Sequence, residues 1–367
     1  MHPQVAALER GFLTGVNVDP PRGRAAGRVL QGDLAAAYLH NKAFVAQAHA
    51  KLGGARGDPR LACHDDEGAV ALRDLKQDYR VQTGNFAFAG IDMALWDLCG
   101  KACGQPLHRL FGGPVQEAID YFYYLAQGTP EELRAQCRDG VARGYRCFYL
   151  KVGIDAAAEE AMLEAVRATV GVEARIRIDA NEAWSVPEAA GLLRRWHDRF
   201  GIDFAEAPVP IFPLERMREL RARTPVALCA NEGLGSQADA YRVITGGVTD
   251  IVCFSSFWVG TLRRFHTLAS LAGLLGIGVC KHTHGELGIA ASAAHHLVLT
   301  LANATPGAQQ TAAIMADDVL TTPLPIAAGP RWGVPEAPGL GVEVDEIKLA
   351  AFAEAYRRDG QFLPYAA

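Results

Sequence analysis

Long apolar stretches are missing from this 367-residue chain. No run approaches the roughly 18–20 residues that a membrane span needs, so no membrane partner is expected. An excess of positive charge is also lacking. Lys and Arg number 36 against 41 Asp and Glu, a net charge of −5, which gives no electrostatic reason to expect nucleic-acid binding. The first residues, Met1-His2-Pro3-Gln4, carry neither the basic nor the apolar part of a secretory leader, so a cytoplasmic protein is expected. No C-x-x-C pair occurs among the eight cysteines, at 63, 99, 103, 137, 147, 229, 253 and 280. Several lie inside apolar runs (VALCAN, DIVCFSS, GVCKH), which predicts reduced, buried thiols. No G-x-G-x-x-G follows an early strand, which counts against a doubly wound nucleotide-binding sheet.

What is present is a repeat. From about residue 117, short β-branched or apolar runs alternate with amphipathic stretches. The runs are RCFYLKVG, ARIRIDAN, DFAEAP, VALCANE, DIVCFSS and GIGVCKHTH. Such runs read as strands buried on both faces, as in a parallel sheet. The stretches between them begin with helix-start chemistry. Thr129-Pro130-Glu131-Glu132 and Ser185-Val186-Pro187-Glu188 each offer a capping hydroxyl, an early proline and a glutamate that reaches back.

The runs end in Lys151, Asp179, Glu206, Glu232, Ser255 and His282, separated by 28, 27, 26, 23 and 27 residues. One strand, one helix and two loops take about that length. Six units, with one before at 119–124 and room for another near 307–311, predict a (β/α)8 barrel. Its active site would lie where the strands' carboxyl ends converge. Residues 1–113 and about 333–367 break the repeat and are assigned to an α+β capping domain, with helices over about 34–52 and 90–110. The barrel is assigned to 114–332.

Asp179, Glu206 and Glu232 end three consecutive strands. Three carboxylates brought together repel unless a cation lies between them, and all-oxygen ligation favours Mg²⁺, with Mn²⁺ the alternative. Asn231, beside Glu232, offers a carbonyl oxygen as a competing ligand. Lys151 and His282 flank the acids in a closed ring. Two proton-carrying groups across a metal-bound substrate suit proton transfer beside a carboxylate. The competing reading of Lys151 is a salt bridge to Asp179. His282-Thr283-His284 spaces two histidines as a zinc pair would, but no further Cys or His falls at ligand spacing. His295 and His296 read as structural.

The string GIDMALWDLCGKACGQPLHRLFGG (90–113) resembles the mandelate racemase and muconate lactonizing enzyme group of the enolase superfamily. So do YLKVG, IDANEAW, AEAP, ANEG and PGLGVEVDE. The resemblance runs from about residue 80 to the end. It implies a cap over a modified (β/α)8 barrel, Mg²⁺ held by Asp179, Glu206 and Glu232, and a Lys-x-Lys base motif at Tyr149-Leu150-Lys151. It also implies a supporting role for Asn181.

Three departures stand out. Tyr149 replaces the first lysine; its phenol can donate to a substrate carboxylate but brings no positive charge. Ser255 stands where an aspartate would orient His282, leaving Glu286 as a substitute partner. No G-x-G-E-like hairpin precedes residue 90, so a shortened cap is expected. The implied function is a Mg²⁺-dependent lyase that dehydrates a hydroxylated carboxylate such as an acid sugar. A racemase, epimerase or cycloisomerase shares its first step, and a catalytically silent binding or structural protein is the third reading. The partner expected is a small-molecule carboxylate, with self-association into a homo-oligomer.

Overall fold

Every capped amphipathic segment read from the sequence forms a helix, and every short apolar run forms a strand. The computed structural model describes residues 79–359 except 284, 313, 314 and 316. The expected helix near 34–52 and the shortened start of the cap lie outside the described residues. The elements run α1 (Tyr79–Cys103), α2 (Leu107–Leu110), β1 (Ala118–Asp120), β2 (Tyr123–Leu125), α3 (Pro130–Ala142), β3 (Cys147–Lys151), α4 (Ala156–Val170), β4 (Arg175–Asp179), α5 (Val186–Phe200), β5 (Ile202–Glu206), α6 (Glu215–Arg221) and β6 (Ala227–Ala230). They continue with α7 (Gln237–Thr245), β7 (Ile251–Phe254), α8 (Ser256–Val259), α9 (Leu262–Leu274), β8 (Gly278–Lys281), α10 (Gly288–Val298), β9 (Arg331–Gly333) and α11 (Glu346–Asp359).

Strands β2 to β8 form one parallel sheet in sequence order. The run expected at 119–124 is split: β1 pairs antiparallel with β9, and only β2 enters the parallel sheet. Instead of a full eighth strand, the segment around 304–308 closes the ring through single bridges, Val279 to Ala304 and Tyr121 to Ala308. Alternation divides the strand residues. Leu150, Ile178, Ala205, Leu228, Val252 and Val279 join the main core beneath the helices. Phe204, Cys229, Cys253 and Cys280 form a separate cluster, and Phe122, Cys147 and Tyr149 another. These are the fillings of the barrel interior, the layered core such a fold requires.

Local chemistry explains the helices. Thr129 and Ser185 both close capping boxes with Glu132 and Glu188. Helix α5 buries Val186, Ala189, Leu193, Trp196 and Phe200, one stripe at helical spacing. Trp196 is fully buried, and truncating it to alanine should cost about 3–5 kcal/mol.

The hallmark helix α1 docks on the barrel through polar contacts. Asn85 Nδ2 donates to Trp258 O at 2.6 Å and Gly235 O at 3.1 Å, while Asp92 accepts from the Leu262 amide at 2.7 Å. Burial pushes the Asp92 carboxyl up to about 6. At the far end of α1, Asp97 Oδ1 accepts from the Leu340 amide at 2.7 Å. Gly339 allows this approach, since a Cβ there would lie 2.2 Å from that oxygen.

Candidate active site

The parallel register places Lys151 directly opposite Asp179, and Asp179 directly opposite Glu206. Each is the last residue of its strand, so three of the anticipated residues form one row. Asn231 and Glu232 follow β6, with Glu232 opening a single 3-10 turn. Ser255 and His282 are the first residues beyond β7 and β8. His284 lies outside the described residues.

Asp179 is the hub. Its Oδ2 accepts the Tyr149 hydroxyl at 2.6 Å and also the Lys151 ammonium, and its Oδ1 accepts the Asn181 amide at 2.8 Å. The Lys151–Asp179 salt bridge weighed from the sequence is therefore present. The Tyr149 phenol, expected to face substrate, gives its hydrogen to Asp179. Lys151 Nζ also donates to Asn181 Oδ1 at 2.9 Å, and Asn181 Nδ2 donates to Glu232 Oε1 at 3.0 Å. Asn181 thus links the lysine to the third carboxylate. The backbone is strained where it makes these links: Asn181, Glu182 and Ala207 have φ of 43°, 64° and 40°. Left-handed conformations at non-glycine residues cost about 1–3 kcal/mol each and cluster at functional sites.

Electrostatics follow from burial of like charges. Asp179 and Glu206 are each 1% exposed. Burial, reinforced by Asp179, holds the Glu206 carboxyl well above the usual carboxylate range and pushes Glu232 up to about 8. Burial acts to lower the Lys151 ammonium, but Asp179 and Glu206 outweigh it and hold it above the ordinary lysine value. Burial and then Asp179 raise the Tyr149 phenol well above its usual value.

The donor set fits a hard cation. Glu232 Oε2 is buried and has no hydrogen-bond partner among the described residues. Three carboxylates, with the Asn231 carbonyl next to them, are the oxygen donors that Mg²⁺ takes. Asn231 Nδ2 donates to Cys253 O at 2.9 Å, which anchors that side chain to β7.

Gln309 was not anticipated from the sequence. Its Nε2 donates to Glu206 Oε2 at 2.7 Å, and its Oε1 accepts from the Thr283 amide at 3.3 Å. The available signal was its position at the end of the eighth repeat. Lys281 was also missed. It is buried and ion-pairs with Glu286, which also receives the Thr283 hydroxyl. Glu286, expected as a substitute partner for His282, is thus held by two neighbours on its own strand end and loop. The His282 ring meets Trp258 and Phe257 edge-on at 4.9 Å and 6.1 Å between centroids. Ser255 Oγ is buried and has no hydrogen-bond partner among the described residues. His295 and His296 are structural, as expected. His295 joins the Tyr121 hydroxyl and Gly333 O and stacks on Trp332; His296 joins the His108 amide and Leu340 O. The described cysteines are all free thiols, and Cys137, Cys147, Cys229, Cys253 and Cys280 are buried.

The fold is a parallel barrel with acids at the ends of successive strands and a half-buried lysine beside them. Residues 132–348 match the enolase C-terminal domain-like family, and residues 67–112 match the mandelate racemase / muconate lactonizing enzyme N-terminal domain. The chain belongs to the mandelate racemase / muconate lactonizing enzyme family of the enolase superfamily. It is 29% identical to muconate cycloisomerase 1 of Pseudomonas putida over 76% of this chain and 75% of that protein. It is 30% identical to a probable glucarate dehydratase of Streptomyces coelicolor, over 71% of this chain and 64% of that one. Among solved structures, the dipeptide epimerase of Enterococcus faecalis V583, complexed with Mg and the dipeptide L-Leu-L-Tyr, superposes with a TM-score of 0.65. That match has 25% identity and covers 71% of this chain and 73% of that one. The relatives' names therefore span cycloisomerase, dehydratase and epimerase. No helix among the described residues is long and apolar enough to cross a membrane.

Proposed function

We propose that the chain is a Mg²⁺-dependent lyase that removes the α-proton of a hydroxylated carboxylate and expels its β-hydroxyl, in the manner of an acid-sugar dehydratase. The observation that carries this reading is the row Lys151–Asp179–Glu206, an amine in register with two buried carboxylates, with His282 at the end of β8 beyond Glu232 and Ser255.

Asp179, Glu206 and Glu232 would hold the ion. Bound Mg²⁺ supplies the positive charge that neutralises these carboxylates, lowers the lysine pKa and stabilises an enediolate. Lys151 Nζ takes the α-proton. His282 gives its proton to the departing hydroxyl, which leaves as water, and the resulting enol returns to its keto form. Tyr149 and Asn181 act on this step indirectly, by fixing Asp179 and Glu232. The buried rings of Trp258 and Phe257 keep water away from one side of His282.

The test is incubation of the full chain with a panel of acid sugars and amino-acid derivatives in deuterated water, with and without Mg²⁺, followed by NMR. Consumption of a substrate with loss of its hydroxyl supports the lyase. Deuterium uptake with inversion and no consumption replaces it with a racemase. No exchange with any compound favours a silent relative.

A further inference from the structure

The barrel interior directly below the acid row is lined with sulfur that the proposed reaction does not use. Cys229 and Cys253 lie two residues before Asn231 and Ser255 on their strands, and both are fully buried. One Glu206 carboxylate oxygen, Cys229 Sγ and Cys253 Sγ all lie within 4.8 Å of one another. Cys253 and Cys280 are directly opposite in register, and all three thiols pack in one buried cluster with Phe204. Below them, the buried guanidinium of Arg177 brings Nη1 to 3.9 Å from Cys280 Sγ and donates to Gly307 O at 2.6 Å. Its charge offsets thiolates formed above it.

Three sulfurs and one carboxylate are the donor set of a soft or borderline divalent ion, whereas Mg²⁺ takes oxygen alone. Tetrahedral sites with metal–sulfur bonds near 2.3 Å space their donors roughly 3.8 Å apart. Closing the triad therefore needs a contraction of about 1 Å at most, within side-chain rotation.

We propose that Glu206, Cys229 and Cys253, with Cys280 as the fourth donor, form a site for a thiophilic divalent cation such as Zn²⁺ or Cd²⁺ beneath the hard-cation site. Binding involves no redox step: each ligating thiol releases its proton to solvent, and the metal–sulfur bond replaces the S–H bond. Because Glu206 belongs to both donor sets, a soft ion claims a carboxylate that the upper site needs. The two occupants exclude each other, and the lower ion switches off the upper site.

The probe is CdCl₂, read by the ultraviolet sulfur-to-cadmium charge-transfer band. The full chain is used with Cys63, Cys99 and Cys103 changed to serine, which removes the thiols that precede the first strand in the sequence. One Cd²⁺ per chain with this band is expected. Cys229→Ser and Cys253→Ser should each lower its affinity at least tenfold, and Cys137→Ser should leave it unchanged. Far-ultraviolet circular dichroism checks that the variants fold. No band in the serine background, or an unchanged band in the folded Cys229→Ser/Cys253→Ser double variant, overturns the site. The second measurement needs no barrel variant. Mg²⁺ added to the serine background should weaken Cd²⁺ binding in proportion to its concentration. This competition rests on the reading of Glu206 as a Mg²⁺ ligand, whereas the thiol band does not. A cysteine-dependent band that Mg²⁺ leaves untouched would overturn the switch, and direct Mg²⁺ calorimetry on the same protein then shows whether the upper site itself has failed.

Discussion

Tyr149 Oη donates to Asp179 Oδ2 at 2.6 Å, onto the same oxygen that receives the Lys151 ammonium. The phenol supports the carboxylate that the lysine faces. A hydrogen bond to a charged group contributes about 1.5–3 kcal/mol, and each 1.4 kcal/mol is tenfold in affinity. Tyr149→Phe should therefore weaken Mg²⁺ binding by roughly 10–100-fold, measured by isothermal titration calorimetry. Unchanged affinity would assign the phenol to substrate instead.

Mg²⁺ affinity should itself depend on pH. Glu232 is raised to about 8, and Glu206 is also held well above its usual value. Both must ionise to bind a cation, so binding should release protons and tighten as pH rises from 6 toward 8. Calorimetry in buffers of different ionisation enthalpy reads the protons directly. Asp179→Asn and Glu206→Gln should each abolish measurable binding. Glu232→Gln should do the same; if Asn231→Ala does so and Glu232→Gln does not, the neighbour is the ligand.

Lys151→Ala should abolish α-proton exchange with Mg²⁺ affinity close to normal, because Asp179 keeps its bonds to Tyr149 and the Asn181 amide. Losing a general base costs roughly 10²–10⁴-fold in rate. Asp179 and Glu206 hold the lysine protonated, so activity should climb toward alkaline pH. A loss under tenfold would reduce Lys151 to a partner of Asp179.

Ser255 leaves a buried hydroxyl without a hydrogen-bond partner among the described residues. Ser255→Asp places a carboxylate there. If it reaches the His282 ring, it favours the protonated imidazole, and the acid limb of the activity profile should move to higher pH. A pH–rate profile with the limb in place would mean that another group already serves the ring.

His295 and His296 govern acid stability. Burial lowers His295 to about 3 and His296 to about 4, against 6.5 for the free side chain. Between those values the unfolded chain binds more protons than the folded one, so stability rises with pH. It should be fully present above about 6.5 and fall as pH drops toward 4, by up to about 1.4 kcal/mol per pH unit for each histidine. Urea midpoints at several pH values test this, and a midpoint that is flat from pH 4 to 7 would contradict it.

The repeat of apolar runs, the capping boxes at Thr129 and Ser185 and the strand-end row from Lys151 to His282 were all legible in the chain by itself. Each rests on local chemistry: a strand buried on both faces must be apolar, a helix start needs a cap, and a parallel unit has a nearly constant length. Tertiary structure alone decided where side chains meet. The hydrogen bond from Gln309 to Glu206 spans 103 residues, and it exists because the ring closes through single bridges at 304 and 308 rather than through a regular strand. Lys281 turns away from its neighbour His282 and into Glu286, because successive residues of a strand point to opposite faces. The phenol of Tyr149, the link through Asn181 and the stacked thiols of Cys229, Cys253 and Cys280 depend on the register between strands. That register is set by how the whole barrel packs, and no single segment encodes it.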